Sequence, residues 1–132
     1  MMICENGFVF RKGKKDDKPP KGWITDSEED FAGSPDFVLE LHNKQVASAC
    51  ILGEENHIFM ISSIVWNKGY GSKFIEFWEK YSRQKGYTEI VVSHVISDPL
   101  GHILEKRGFS FELDESNEKI YRKNISPIKN GR

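Results

Sequence analysis

The stretch from Ile58 to Ile96 constrains the fold more than any other part of the chain. A β-rich run, Ile58 to Trp66, reaches Asn67-Lys68-Gly69-Tyr70-Gly71 and passes directly into a segment of helical period that ends near Lys85. Phe74, Phe77, Trp78 and Tyr81 fall on one face of that helix, and Lys73, Glu76, Lys80 and Arg83 lie largely on the other. Glu76 with Lys80 and Glu79 with Arg83 add pairs four residues apart, and Gly86 supplies a left-handed stop. A β-branched run, Ile90 to Ile96, follows. A strand that turns through glycines into a helix presents unpaired N–H groups at the positive end of the helix dipole, an arrangement suited to phosphate or pyrophosphate. A dinucleotide fingerprint would need a third glycine where Phe74 stands, and the Gly-Lys-Ser/Thr of a nucleotide-hydrolysing loop is missing.

The flanking segments are consistent with one domain. Phe37 to Leu41 and Val46 to Leu52 read as a hairpin about His42-Asn43-Lys44-Gln45, and Ile58 to Trp66 extends the meander. Asp98-Pro99 marks a helix start, with Asp98 as N-cap, for a short helix running to Arg107 and stopping at Gly108; Phe109 to Leu113 and Lys119 to Ile125 form a closing hairpin. The expected organisation is an N-terminal segment, 1–35, belonging to the same domain, a core at 36–125 and a polar tail at 126–132. Within the first segment, Gly7 to Phe10 suggests a short strand, Lys12 to Lys21 a solvated loop, and Asp26 to Phe31 one helical turn.

Composition narrows the function classes. A net charge of −1 gives no global positive field to hold a nucleic acid, and the longest apolar runs fall far short of the roughly 18 residues of a membrane span. The N-terminus shows no secretory pattern, so a cytoplasmic location is expected. Cys4 and Cys50 make neither a disulfide framework nor a metal site, and His42, His57, His94 and His102 are isolated from one another in sequence, so no metal is expected.

Two motifs carry a family resemblance. Trp66-Asn67-Lys68-Gly69-Tyr70-Gly71 is similar to the Arg/Gln-x-x-Gly-x-Gly/Ala loop of the GNAT superfamily of acyl-CoA-dependent N-acyltransferases, and Glu105-Lys106-Arg107-Gly108-Phe109 is similar to its later Glu-Lys-x-Gly-Phe helix end. The resemblance spans about Phe37 to Phe111 and implies an α/β (α+β) fold: a mixed, mostly antiparallel sheet with a splayed central strand pair, flanking helices and, here, a reduced N-terminal helical region. It further implies acetyl-CoA as co-substrate. The pyrophosphate would lie on the amides of Lys68, Gly69, Tyr70, Gly71 and Ser72, and the pantetheine arm would pair with backbone near Met60, Ile61 and Ser62.

The activity implied is N-acetyl transfer to a primary amine by direct attack. Because a lysine-like amine with a pKa of about 10.4 arrives protonated, a base is needed. An ungapped count back from Gly69 places the glutamate of the histone-acetyltransferase branch on Glu55; His94 is the second catalytic candidate, and His102 is the other histidine near the expected split able to carry a proton. Departures from the family pattern fall at Trp66, where arginine or glutamine is usual, and at Leu104, where many members keep a proton-donating tyrosine. The expected partners are acetyl-CoA, an amine acceptor that is either a cationic small molecule or a protein, and a second copy in a homodimer, with no nucleic acid and no membrane. The rival reading is a non-catalytic acyl-CoA-binding sensor or interaction module.

Overall fold

In a computed structural model of the chain, residues 2–17, 24–25, 35–55, 58–95 and 97–126 are described. Among these residues, nine strands and two helices follow in the order β1 (Met2–Glu5), β2 (Phe8–Lys12), β3 (Ile24–Thr25), β4 (Phe37–Leu41), β5 (Lys44–Glu55), β6 (Ile58–Trp66), α1 (Gly71–Lys85), β7 (Glu89–Val95), α2 (Asp98–Lys106), β8 (Ser110–Leu113) and β9 (Lys119–Asn124). They form one sheet in the order β1-β2-β4-β5-β6-β7-β9-β8, with β3 joined separately to β6. Every pairing is antiparallel except β6 with β7, which α1 connects as a βαβ crossover.

The meander, both helices and the closing hairpin lie where their sequence patterns place them. Strand β1 carried no distinct sequence signal, nor did β3, which is too short to show a period. The helical turn expected at Asp26 to Phe31 lies outside the described residues. The lysine-rich loop is not solvated throughout: Asp17 is buried, receives the Arg11 guanidinium at 2.7 Å and accepts from the Lys14 amide at 2.6 Å. The N-cap of α2 is Ser97 rather than Asp98; its hydroxyl accepts from the Leu100 amide at 3.4 Å, and Asp98 opens the helix.

The core gathers between the sheet and α1. Phe10 stacks on Phe37 with centroids 5.3 Å apart, and Trp78 meets both rings edge-on at 5.0 and 4.8 Å. Phe74, Phe77 and Tyr81 complete the buried stripe that the helical period announced. Glu79 keeps the four-apart pair with Arg83 at 3.8 Å and is also buried between elements. It accepts from Arg107 at 2.7 Å and from Lys123 at 2.9 Å, tying α1 to the end of α2 and to β9. Burial pushes its carboxyl up, but the hydrogen bonds and charges of Arg107 and Lys123 outweigh that and hold it below the usual glutamate range.

The central strands part for a local reason. Pairing of β6 with β7 runs only from Ile58↔Glu89 to Ile61↔Val92. Just beyond it, β6 advances from Ser62 to Val65 while β5 advances only from Cys50 to Ser48, a bulge on β6. In the matching place β7 advances from Val92 to Val95 while β9 moves only from Tyr121 to Lys119. Bulges bend a strand and raise its twist, so a bulge on each strand just past the last shared pair turns the two apart.

Candidate functional site

The glycine junction sits at the open end of this split. The Asn67 N–H donates to the Val46 carbonyl at 2.8 Å, anchoring the turn to β5. Its side-chain oxygen accepts from the Lys68 amide at 3.0 Å, and its carbonyl accepts from the Tyr70 amide at 3.1 Å. Two of the five amides expected to hold a pyrophosphate are therefore engaged inside the turn. Those of Gly69, Gly71 and Ser72 meet no acceptor among the described residues. Tyr70 occupies the N-cap of α1 without a side-chain cap bond, and the first turn holds no acidic residue. This leaves a helix N-terminus with its donors and its positive field directed outward.

The two glycines do different work. Gly69 has φ of +97° with nothing within 4 Å of a would-be Cβ, so its requirement is conformational. Gly71 has no such φ; a Cβ there would come within 2.6 Å of Ile103 Cδ1 and 2.9 Å of Trp66 Nε1. Trp66, the departure from the family pattern, is a buried core residue packed beneath the start of α1. Its side chain belongs to the core, and the smallness of Gly71 lets helix, tryptophan and α2 meet.

The backbone places the other expected positions along β6. Met60 lies opposite Val91 and Ile61 opposite Val92 in the parallel pairing, while β5 flanks them on the other side. Ser62 is the first residue past the last β7 pair. Farther out, Val65 and Trp66 are paired with β3 on the same side, opposite Thr25 and Ile24. Among the described residues, Ser62, Ser63 and Ile64 are thus the part of β6 without a strand on its β7-facing edge.

The two catalytic candidates sit at opposite ends of the β6–β7 pairing. Glu55 closes β5 opposite Ile58, roughly 10 Å of strand from Ile61 at about 3.3 Å per residue. His94 lies in the β7 bulge, at the mouth of the split. The position aligned with a family proton donor, Leu104, is fully buried in the core. Cys50 is half-buried, and burial together with the negative charge of Asp36 raises its thiol pKa, which argues against a nucleophilic role.

A cleft of about 490 Å³ adjoins the outer end of β7 and was not anticipated from sequence. Val95, Ser97, Asp98 and Gly101 form one wall, and Tyr121 with the β8–β9 turn forms the other. Asp98, Glu105 and Glu118 give it an acidic lining against Lys119. The Tyr121 hydroxyl donates to Glu105 at 2.9 Å, and Gly101 makes room for it, since a Cβ there would lie 2.8 Å from the phenol oxygen. Tyr121 stands opposite Val92, at the vertex of the split. No local sequence pattern links Gly101 to Tyr121; the juxtaposition is tertiary. Among the described residues no His, Cys, Asp or Glu cluster is placed to hold a metal, and no helix is long and apolar enough to cross a membrane.

No protein-family model and no curated protein matches the sequence. Solved structures do resemble the fold. An agmatine N-acetyltransferase superposes with a TM-score of 0.56 at 10% identity over 67% of this chain and 75% of its own. RimL, a ribosomal L7/L12 α-N-protein acetyltransferase solved in complex with coenzyme A, gives 0.57 at 12% identity over 70% of this chain and 62% of its own. An acetyltransferase of the GNAT family from Listeria monocytogenes gives 0.55 at 14% identity over 67% and 63%. With the parallel pair parted by twin bulges and an uncapped helix start above the gap, the fold of this chain is that of the GNAT N-acetyltransferases.

Proposed function

We propose that the chain is an acetyl-CoA-dependent N-acetyltransferase acting on a primary amine. The observation that carries the reading is the α1 N-terminus, whose amides at Gly69, Gly71 and Ser72 meet no acceptor among the described residues, set directly above the split between β6 and β7. Those donors suit a pyrophosphate, and the edge at Ser62 to Ile64, which carries no strand among the described residues, suits an amide-bearing arm that adds as a strand. Bound there, the coenzyme supplies a thioester open to attack by a neutral amine.

The chain's own residues supply the rest. His94, at the mouth of the split, is the base that takes the amine proton, and Glu55 is the alternative from the far end of the β6–β7 pairing. The acidic cleft beside β7 gives a cationic amine a favourable approach, and the hydrogen bond from Tyr121 to Glu105 fixes its floor. The test is a calorimetric titration with acetyl-CoA, followed by a screen of diamines, polyamines and basic peptides read out by released thiol. Saturable binding with turnover on a cationic amine is the expected result. Binding without turnover on any amine would favour the acyl-CoA sensor, and absence of binding would overturn both readings.

A further inference from the structure

Strand β3 lies in the path a coenzyme would follow. Its two residues pair antiparallel with the end of β6, Ile24 opposite Trp66 and Thr25 opposite Val65, on the edge that β7 has vacated. On the other side the same two residues are paired with Ala47 and Ser48 of β5. A ligand with its pyrophosphate on the α1 N-terminus and its thioester at the vertex near Ile61 and Val92 must run along β6 from Trp66 toward Ser62. It would meet β3 before it reached the free edge.

Resting on the coenzyme reading above, we propose that β3 is an internal competitor for that edge: in the free protein Ile24 and Thr25 pair with Val65 and Trp66, and acetyl-CoA binding requires this pairing to open. The device suits reversible release. Two residues share few ladder hydrogen bonds, each of modest net strength, and Ile24 is only partly buried against the core. The competent state is then a minority of the free protein, and apparent affinity is reduced by that fraction. Losing a couple of such bonds corresponds to about a tenfold effect on the apparent Kd.

The test is a reversible lock. Thr25 and Val65 are directly opposed antiparallel partners, a placement in which Cα atoms lie about 4.5–5.5 Å apart, within the range a disulfide spans, so the double variant Thr25→Cys, Val65→Cys can close a disulfide across the pair. Calorimetry with acetyl-CoA should show binding by the reduced form and at least tenfold weaker binding by the oxidised form, reversed by reductant. Equal affinity in the two forms overturns the competition while leaving the coenzyme site standing; no binding by the unmodified protein overturns the coenzyme reading and the competition with it. Amide hydrogen exchange on the unmodified chain provides a second measurement that needs no variant. Saturating acetyl-CoA should remove protection from the amide of whichever of Ile24 and Thr25 forms the hydrogen-bonded pair with β6, and retained protection there with coenzyme bound also overturns the proposal.

Discussion

The two helices begin in opposite ways. At α2, Ser97 caps the Leu100 amide, Asp98 places a negative charge in the first turn and Pro99 removes a donor, so the helix start is satisfied from within the chain. At α1, Tyr70 makes no cap bond and the first turn has no acid. A helix start without such partners gives up a stabilisation of typically about 1 kcal/mol. The same chain provides a cap at α2 and omits one beside the strand split, where, on the proposed function, an anion would complete the helix.

The largest effect that could break this comparison concerns chemistry at the α1 side. His94→Gln should lower turnover roughly 10²–10⁴-fold at neutral pH while leaving coenzyme affinity nearly unchanged, and Glu55→Gln should have the smaller effect, because the backbone sets Glu55 at the far end of the β6–β7 pairing. Steady-state kinetics with a verified acceptor decide it; the reverse order would move the base to Glu55.

Next in size is the junction that holds the helices together. Glu79→Ala leaves Arg107 and Lys123 facing an emptied buried site and should cost about 3–5 kcal/mol in denaturant unfolding. Because the folded-state pKa of Glu79 is depressed, its contribution is fully present above the ordinary glutamate value and is lost as pH falls through the depressed one. Unmodified protein should therefore lose stability on acidification more steeply than Glu79→Gln does, and parallel slopes would remove Glu79 as the cause.

Ser72→Asp sharpens the comparison directly. Ser72 is exposed in the uncapped first turn, so a carboxylate there should raise helix stability by about 0.3–1 kcal/mol while opposing a pyrophosphate. The expected pattern is a slightly higher Tm with acetyl-CoA affinity reduced about 10–100-fold, since each 1.4 kcal/mol of repulsion is tenfold. Undiminished affinity would place the phosphates elsewhere. Ser72 is a cleaner probe than Gly71, where any side chain strikes Trp66 and Ile103 and confounds binding with packing.

The smallest effect belongs to the other helix. Ser97→Ala removes the α2 cap and should cost about 1 kcal/mol of stability with no change in coenzyme affinity. A drop in affinity as large as that of Ser72→Asp would erase the distinction between the two helix starts.

What the sequence determined by itself is what depends on neighbours along the chain. The glycine junction, the amphipathic face of α1, the left-handed stop at Gly86 and the β-branched runs follow from local dihedral preferences and periodicity. The motif at Glu105 to Phe109 extended that reading to the fold class. Tertiary structure decided what depends on residues far apart. Ile24 and Thr25 carry no strand signal, because a two-residue strand has no period and is defined by the edge it meets. Glu79 looks like a surface residue of α1 until Arg107 and Lys123 arrive from other elements. Leu104 and Trp66 stand where the sequence departs from the family pattern, and packing turns both side chains into the core. The split itself arises from register differences among β5, β6, β7 and β9. A bulge is a mismatch in residue count between two strands, which neither strand's own sequence contains.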